Sequence, residues 1–173
     1  MIKIFIITER RADYSRFKPI LDLIVLEKDL DYSLTVTGAH LKKEMGYTID
    51  EIINDGFKID FKIDMFTEDL DSSGSMVRSF SRVVHDVTYC LEKAKPDIIL
   101  SGFDIGANLA VTIAGAHMNI PIAHIQGGEV TGTIDESIRH AMSKFSHYHF
   151  AANQDAVDRL IKMGEEPNNI FNV

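Results

Sequence analysis

The 173-residue sequence predicts an α/β protein, a Rossmann-like, doubly wound parallel sheet. Three observations predict it. Short apolar runs alternate with amphipathic stretches about six times along the chain. The joints between them are short, as they are when each strand is followed directly by a crossover helix. Several runs end in a polar or Gly-containing loop that opens a helix, which is where open α/β sheets place their ligand chemistry.

The elements follow in order. Residues 2–8 are apolar and β-branched and read as strand one. Residues 15–28 carry Phe17, Ile20, Leu21, Ile24 and Val25 at helical spacing, with Pro19 expected in the first turn. Residues 32–37 form strand two, closed by Gly38; 48–54 a short helix; 57–63, alternating, strand three. Residues 64–75 are polar with Gly and Ser and read as a mobile loop. Residues 76–95 make a long helix stopped by Pro96, followed by strand four at 97–101 and a helix at 105–118. Strand five is 120–124, then a helix at 133–144, strand six at 147–151 and a helix at 154–163. The apolar end, 170–173, reads as a seventh strand or a linker, with a second domain expected beyond it.

Composition narrows the function. Hydrophobic residues are 45% and charged residues 25% of the chain, ordinary for a globular domain. A net charge of -8 argues against nucleic acid or an anionic membrane as partner. It leaves room for a phosphorylated small molecule, which backbone N–H groups and a few arginines can hold. The single cysteine, Cys90, excludes an internal disulfide. No apolar run approaches a membrane span, and the amino-terminal run is too short and polar for a signal peptide, so a cytoplasmic protein is expected.

Four strand-end segments share one edge of such a sheet: residues 8–14, 38–40, 102–108 and 124–149. Together they bring Arg11, His40, Asp104, Gln126, Glu129, Asp135, Glu136 and Arg139 to one rim. The stretch 124–149 is the densest, with a Gly-Gly turn, three carboxylates, an arginine and four histidines. Arg10 and Arg11 before a helix suit an anion, or else a helix-start ion pair with Asp13. Asp104 is an acid/base candidate or an N-cap. Asp135 and Glu136 in a first helical turn complement the helix dipole, or work with Arg139 one turn on as a carboxylate pair. His140, His147 and His149 fit no zinc spacing, so no metal is implied and the rings read as structural. Cys90, mid-helix among apolar residues, reads as inert core. Neither a dinucleotide fingerprint nor a P-loop is present.

Four motifs together go further. Arg11-Ala-Asp-Tyr-Ser, Val36-Thr-Gly-Ala-His-Leu, Gly102-Phe-Asp and the run from His124-Ile-Gln-Gly-Gly-Glu to Ser137-Ile-Arg-His resemble the hydrolysing UDP-N-acetylglucosamine 2-epimerases of the sialic-acid type. The epimerase half of the bifunctional animal enzyme is similar. The resemblance runs from the first strand to Ala151. It implies a GT-B type enzyme of two Rossmann-like domains with the active site between them. Residues 1–173 then form the amino-terminal domain, and a carboxy-terminal domain supplies most UDP contacts and further catalytic groups.

The implied reaction breaks the anomeric C–O bond with loss of UDP while a base removes the C2 proton, giving a glucal. Water then adds and C2 is re-protonated on the other face. The resemblance makes Asp104, residue 126 and Asp135 the catalytic carboxylates of this domain, and Arg11 the arginine near the diphosphate. His40, Glu136 and Arg139 become substrate-binding candidates. No cofactor or metal is implied; the partners are a UDP-sugar, the second domain and, as in many members, a second copy.

Two positions depart from the pattern. Gln126 stands where many members carry Glu, and an amide cannot act as a base. Either Gln126 binds the substrate in a subgroup with altered chemistry, or Glu129 takes the role, or the catalytic assignment shifts to Asp104 and Asp135. Glu9-Arg10 stands where many carry Gly-Thr. Both departures point to a variant sugar, such as a 2,4-diacetamido-trideoxy sugar. Two alternatives stay open: a GT-B glycosyltransferase acceptor domain, and a non-catalytic UDP-sugar binding module.

Overall fold

The structure, a computed structural model, describes residues 1–66, 72–103 and 106–173. The elements are β1 (Ile2–Thr8), α1 (Arg11–Leu26), β2 (Leu30–Thr37), α2 (Ile49–Asn54), β3 (Phe61–Ile63), α3 (Ser73–Ala94), β4 (Ile98–Gly102), α4 (Gly106–His117), β5 (Ile122–Ile125), α5 (Ile134–Phe145), β6 (Tyr148–Ala151), α6 (Gln154–Lys162) and β7 (Ile170–Asn172). Two 3-10 turns, Gly38–Leu41 and Lys43–Met45, bridge β2 and α2. Every strand pair is parallel, in the order β3-β2-β1-β4-β5-β6-β7. The order reverses between β1 and β4, so a crevice opens there at the carboxyl ends of the strands.

Three element bounds depart from the sequence expectation. α1 starts at Arg11, not at residue 15, because the Asp13 carboxylate turns back to accept the backbone N–H groups of Glu9 and Arg10, each at 2.8 Å. Pro19 is therefore inside the helix rather than in its first turn. β3 is only three residues long. Upstream of it the Lys58 N–H bonds the Tyr32 hydroxyl and Phe57 enters the core against α1 and α2, so residues 57–59 have left the ladder, while the Asp60 N–H still bonds the Leu34 carbonyl at 2.9 Å. α3 begins three residues early, capped by Ser72, whose hydroxyl accepts from the Ser75 N–H at 3.1 Å. Of the expected loop at 64–75, residues 67–71 lie outside the described residues, as do Asp104 and Ile105.

Both sheet faces are covered near the switch point. Phe17, Leu21 and Ile24 of α1 and Ile49 and Ile52 of α2 pack on Ile6, Leu34 and Val36. Val83, Val87 and Leu91 of α3 and Ala110, Val111 and Ala114 of α4 pack on Phe5, Ile7, Ile99 and Ile122. Each large side chain so buried stabilises the fold by about 1.5–3 kcal/mol. Cys90 is part of this second core, and burial pushes its thiol up to about 11, as expected for an inert position.

α5 and α6 cover β5 and β6 on the α4 side. The His124 ring meets Ser143 of α5 at 3.1 Å, and Ala156 and Leu160 of α6 pack on Ala151. On the α1 side, the faces of β4, β5 and β6 beyond α1 line an apolar groove of about 450 Å³ with Ile20, Leu23, Ile98, Ile125 and Phe150. Among the described residues no helix is long and apolar enough to cross a membrane.

Candidate active site

The crevice between β1 and β4 is built from the loops that leave those two strands. β1 ends at Thr8, and Glu9 follows. The Glu9 carboxylate crosses the crevice to accept the Ala107 N–H in the first turn of α4, at 2.9 Å. A helix N-terminus favours a negative group there, but burial dominates and raises the Glu9 carboxyl above its ordinary range. Gly38, at φ +59, allows this path: a Cβ at position 38 would collide with the Glu9 side chain and lie 2.8 Å from its carbonyl oxygen.

Beneath Glu9 lies a buried polar chain. Thr8 Oγ1 donates to Asp13 at 3.1 Å and meets His40 Nε2 at 3.0 Å; His40 Nδ1 meets the Thr48 hydroxyl at 2.7 Å. His40 is fully buried, with both ring nitrogens occupied, and burial lowers its pKa to about 4. It therefore sits under the rim as a neutral ring. Arg11 lies outside the rim, exposed, paired with Glu51 of α2 at 3.2 Å.

The other half of the rim follows β4 and β5. Phe103 and Gln126, the residues after these neighbouring strands, both have left-handed backbones, at φ +66 and +62. Non-glycine residues adopt this region at a cost of about 1–3 kcal/mol, and such strain gathers at functional sites. Arg16 of α1 reaches both: its guanidinium donates to Gln126 Oε1 at 3.1 Å and lies 5.2 Å from the Phe103 ring centre. Phe17 packs edge-on against the same ring at 4.9 Å.

The turn after Gln126 is fixed from below. Gly127 packs on His124 and Ser143. Gly128, at φ +82, lies against the Ala156 carbonyl, and its own carbonyl accepts from Arg159 of α6. Arg139 of α5, buried, donates to the Glu129 carbonyl at 2.8 Å. The Glu136 carboxylate closes the next turn by accepting the Thr131 and Gly132 N–H groups, both at 2.9 Å, and these bonds hold it below the usual carboxylate range. Asp135, beside it, is exposed, and its carboxylate accepts from the Thr133 hydroxyl, which caps α5.

The structure thus gathers Gln126, Glu129, Asp135, Glu136 and Arg139 along one loop-helix unit. It separates them from Arg11 and His40. Asp104 lies outside the described residues. Among the described residues Arg139 bonds the Glu129 carbonyl. Of the histidines, His124 and His149 are buried neighbours across β5 and β6; His149 meets Glu165 at 3.3 Å, and burial lowers His124 to about 3. Among the described residues no three His, Cys, Asp or Glu side chains are grouped to hold a metal.

Two further residues stand at the site. Glu9 was legible only as a bulky departure, and its crossing to α4 needs the sheet order to be seen. Arg16 sits among helix residues, and nothing in its spacing marks it. Its partner is 110 positions away.

The pattern that defines the UDP-N-acetylglucosamine 2-epimerase family matches residues 24–173. The chain belongs to that family. Over 171 residues it is 41% identical to a Legionella pneumophila protein named UDP-N,N'-diacetylbacillosamine 2-epimerase (hydrolyzing), covering 99% of this chain and 45% of that protein. A Campylobacter jejuni protein named GDP/UDP-N,N'-diacetylbacillosamine 2-epimerase (hydrolyzing) is 37% identical, with 99% and 44% covered. The chain therefore spans under half the length of these epimerase relatives.

The fold is that of solved epimerases. The Neisseria meningitidis UDP-GlcNAc 2-epimerase bound to UDP-GlcNAc superposes with a TM-score of 0.85 at 20% identity, covering 99% of this chain and 45% of that one. MurG of Acinetobacter baumannii superposes at 0.60 and 10% identity, with 90% and 43% covered. The Rossmann-like sheet is thus the GT-B half-fold these two-domain proteins share.

Proposed function

We propose that this chain is the amino-terminal domain of a hydrolysing UDP-sugar 2-epimerase, with a second domain closing the cleft and supplying most UDP contacts. The carrying observation is the 41% identity, across nearly the whole chain, with a protein named as a hydrolyzing UDP-N,N'-diacetylbacillosamine 2-epimerase. The preferred substrate is accordingly a UDP-sugar with two acetamido groups, and the product a 2-epimerised sugar for nonulosonic (sialic-type) acid synthesis in the cytoplasm.

In this reading UDP leaves from C1 while a carboxylate takes the C2 proton; water then adds to the glucal and C2 is re-protonated on the opposite face. Asp104 and Asp135 carry the proton transfers. Asp135 suits the task because its carboxylate is exposed and, among the described residues, accepts no backbone N–H, whereas that of Glu136 is committed to two N–H groups. Gln126 binds rather than transfers protons, and Glu129 stands beside it as the remaining carboxylate of the loop.

Arg11 can leave Glu51 for the diphosphate, since an exposed ion pair is worth only about 0–1 kcal/mol. His40 is a positioning residue acting through Thr8, and Arg139 positions Glu129 through its carbonyl.

The test is full-length protein supplied with UDP-N-acetylglucosamine and with the UDP-diacetyl sugar, following UDP release without any acceptor. Faster release from the diacetyl sugar is expected. Equal or better turnover of UDP-N-acetylglucosamine rejects the substrate assignment, and release only when an acceptor is present rejects the hydrolysing reaction.

A further inference from the structure

The geometry points to Arg16 as a specificity-determining residue that sets Gln126 to recognise an acetamido carbonyl on the sugar. The inference rests on the epimerase reading above and names what selects the substrate within it.

Arginine has five N–H donors and no acceptor. The atom of Gln126 that faces Arg16 is therefore its carbonyl oxygen, and the observed contact, Nη1 to Oε1 at 3.1 Å, is the only sense this pair can take. The amide nitrogen is thereby turned away from Arg16, and among the described residues it meets no acceptor. Two N–H donors are presented at the strand end where the backbone is held at φ +62. A carbonyl oxygen is their natural complement, and a hydroxyl is a less constrained one.

Arg16 has a second contact. Its guanidinium lies over Phe103, whose ring is buried and braced by Phe17, and whose backbone is also left-handed. The ring contact steadies the guanidinium, and the guanidinium orients the amide. A glutamate at position 126 would instead form an ion pair with Arg16 and present no donor, so the Arg16–Gln126 pair replaces a charge with a directed hydrogen-bond donor. The sugars named for the relatives differ in having one or two acetyl groups, and the second acetamido carbonyl is the group this donor fits.

Full-length protein is titrated calorimetrically with UDP-N-acetylglucosamine and with UDP-N,N'-diacetylbacillosamine. Wild type should bind the diacetyl sugar more tightly. Arg16→Ala, at an exposed position, should keep its melting temperature and cut that preference about five- to ten-fold, the worth of one directed hydrogen bond. Arg16→Lys, which lacks the fork, should lose preference too. Gln126→Ala should do the same, and the double variant should add little to either single one.

Equal weakening of both ligands by Arg16→Ala would overturn the inference, because Arg16 would then serve the diphosphate they share; so would additive effects, or a wild type without preference. If wild type binds both sugars but releases UDP from neither, the epimerase reading falls while the preference ratio still decides the role of Arg16. If wild type binds neither sugar, both fall.

Discussion

His40 and His124 are buried as neutral rings, with pKa values of about 4 and about 3 against an ordinary 6.5. The unfolded chain takes up protons first at these positions, so their contribution to stability is present above pH 6.5 and is lost as pH falls toward 4 and below. Melting temperature should therefore drop steadily across that interval, and His40→Asn should flatten the drop. An equal drop in His40→Asn and in wild type would contradict this. Glu9 runs the other way. Its carboxyl is raised by burial, so its contribution is present below its unfolded value near 4.5 and is lost as pH rises through the folded one. Glu9→Gln keeps an oxygen for the Ala107 N–H and removes the charge. It should raise the melting temperature at pH 7 more than at pH 4; a fall at pH 7 would mean that attraction to α4 outweighs burial. These roles were only partly legible in sequence. Gln126 stood out as an amide where a carboxylate belongs, but its orientation depends on Arg16, and the engagement of His40 depends on threonines from two separate segments.

The loop from Gln126 to Gly132 is the element on which the site depends, and its glycines divide by what surrounds them. Gly128 has φ +82 and lies against the Ala156 carbonyl and 3.0 Å from Leu160 Cγ, counted from a Cβ it does not have. Gly132 has φ +71 and nothing within 4 Å. Gly128→Ala should cost about 2–4 kcal/mol and loosen α6, whereas Gly132→Ala should cost only the backbone strain, about 1–2 kcal/mol. Urea unfolding checks both, and equal losses would refute the packing argument. Strands and helices at this scale were largely readable, because apolar period and breakers are local. Where the reading slipped, a distant or reversed contact was responsible. Asp13 turning back to cap α1 moved a helix start, and Tyr32 and the α1 and α2 core drew residues 57–59 off the ladder.

For the whole molecule, alternation alone predicted a doubly wound parallel sheet, and the order β3-β2-β1-β4-β5-β6-β7 delivers it. The pairing of loops could not be read in advance, since strand order is set by which faces pack. The chain spans about 45% of its Legionella relative, and in the proposed function its rim is one wall of a cleft that a second domain completes. The 173-residue chain alone should therefore release no UDP from either sugar, as a UDP-coupled assay would record. The central claim is that this rim serves proton transfer at C2. Turnover of the diacetyl UDP-sugar by full-length protein in deuterated water, followed by NMR of the released sugar, tests it most directly. Free sugar with deuterium at C2 and inverted configuration there is expected, and is lost in Asp135→Asn. Free sugar with its original hydrogen and configuration at C2, or the same labelling by Asp135→Asn at wild-type rate, would contradict it.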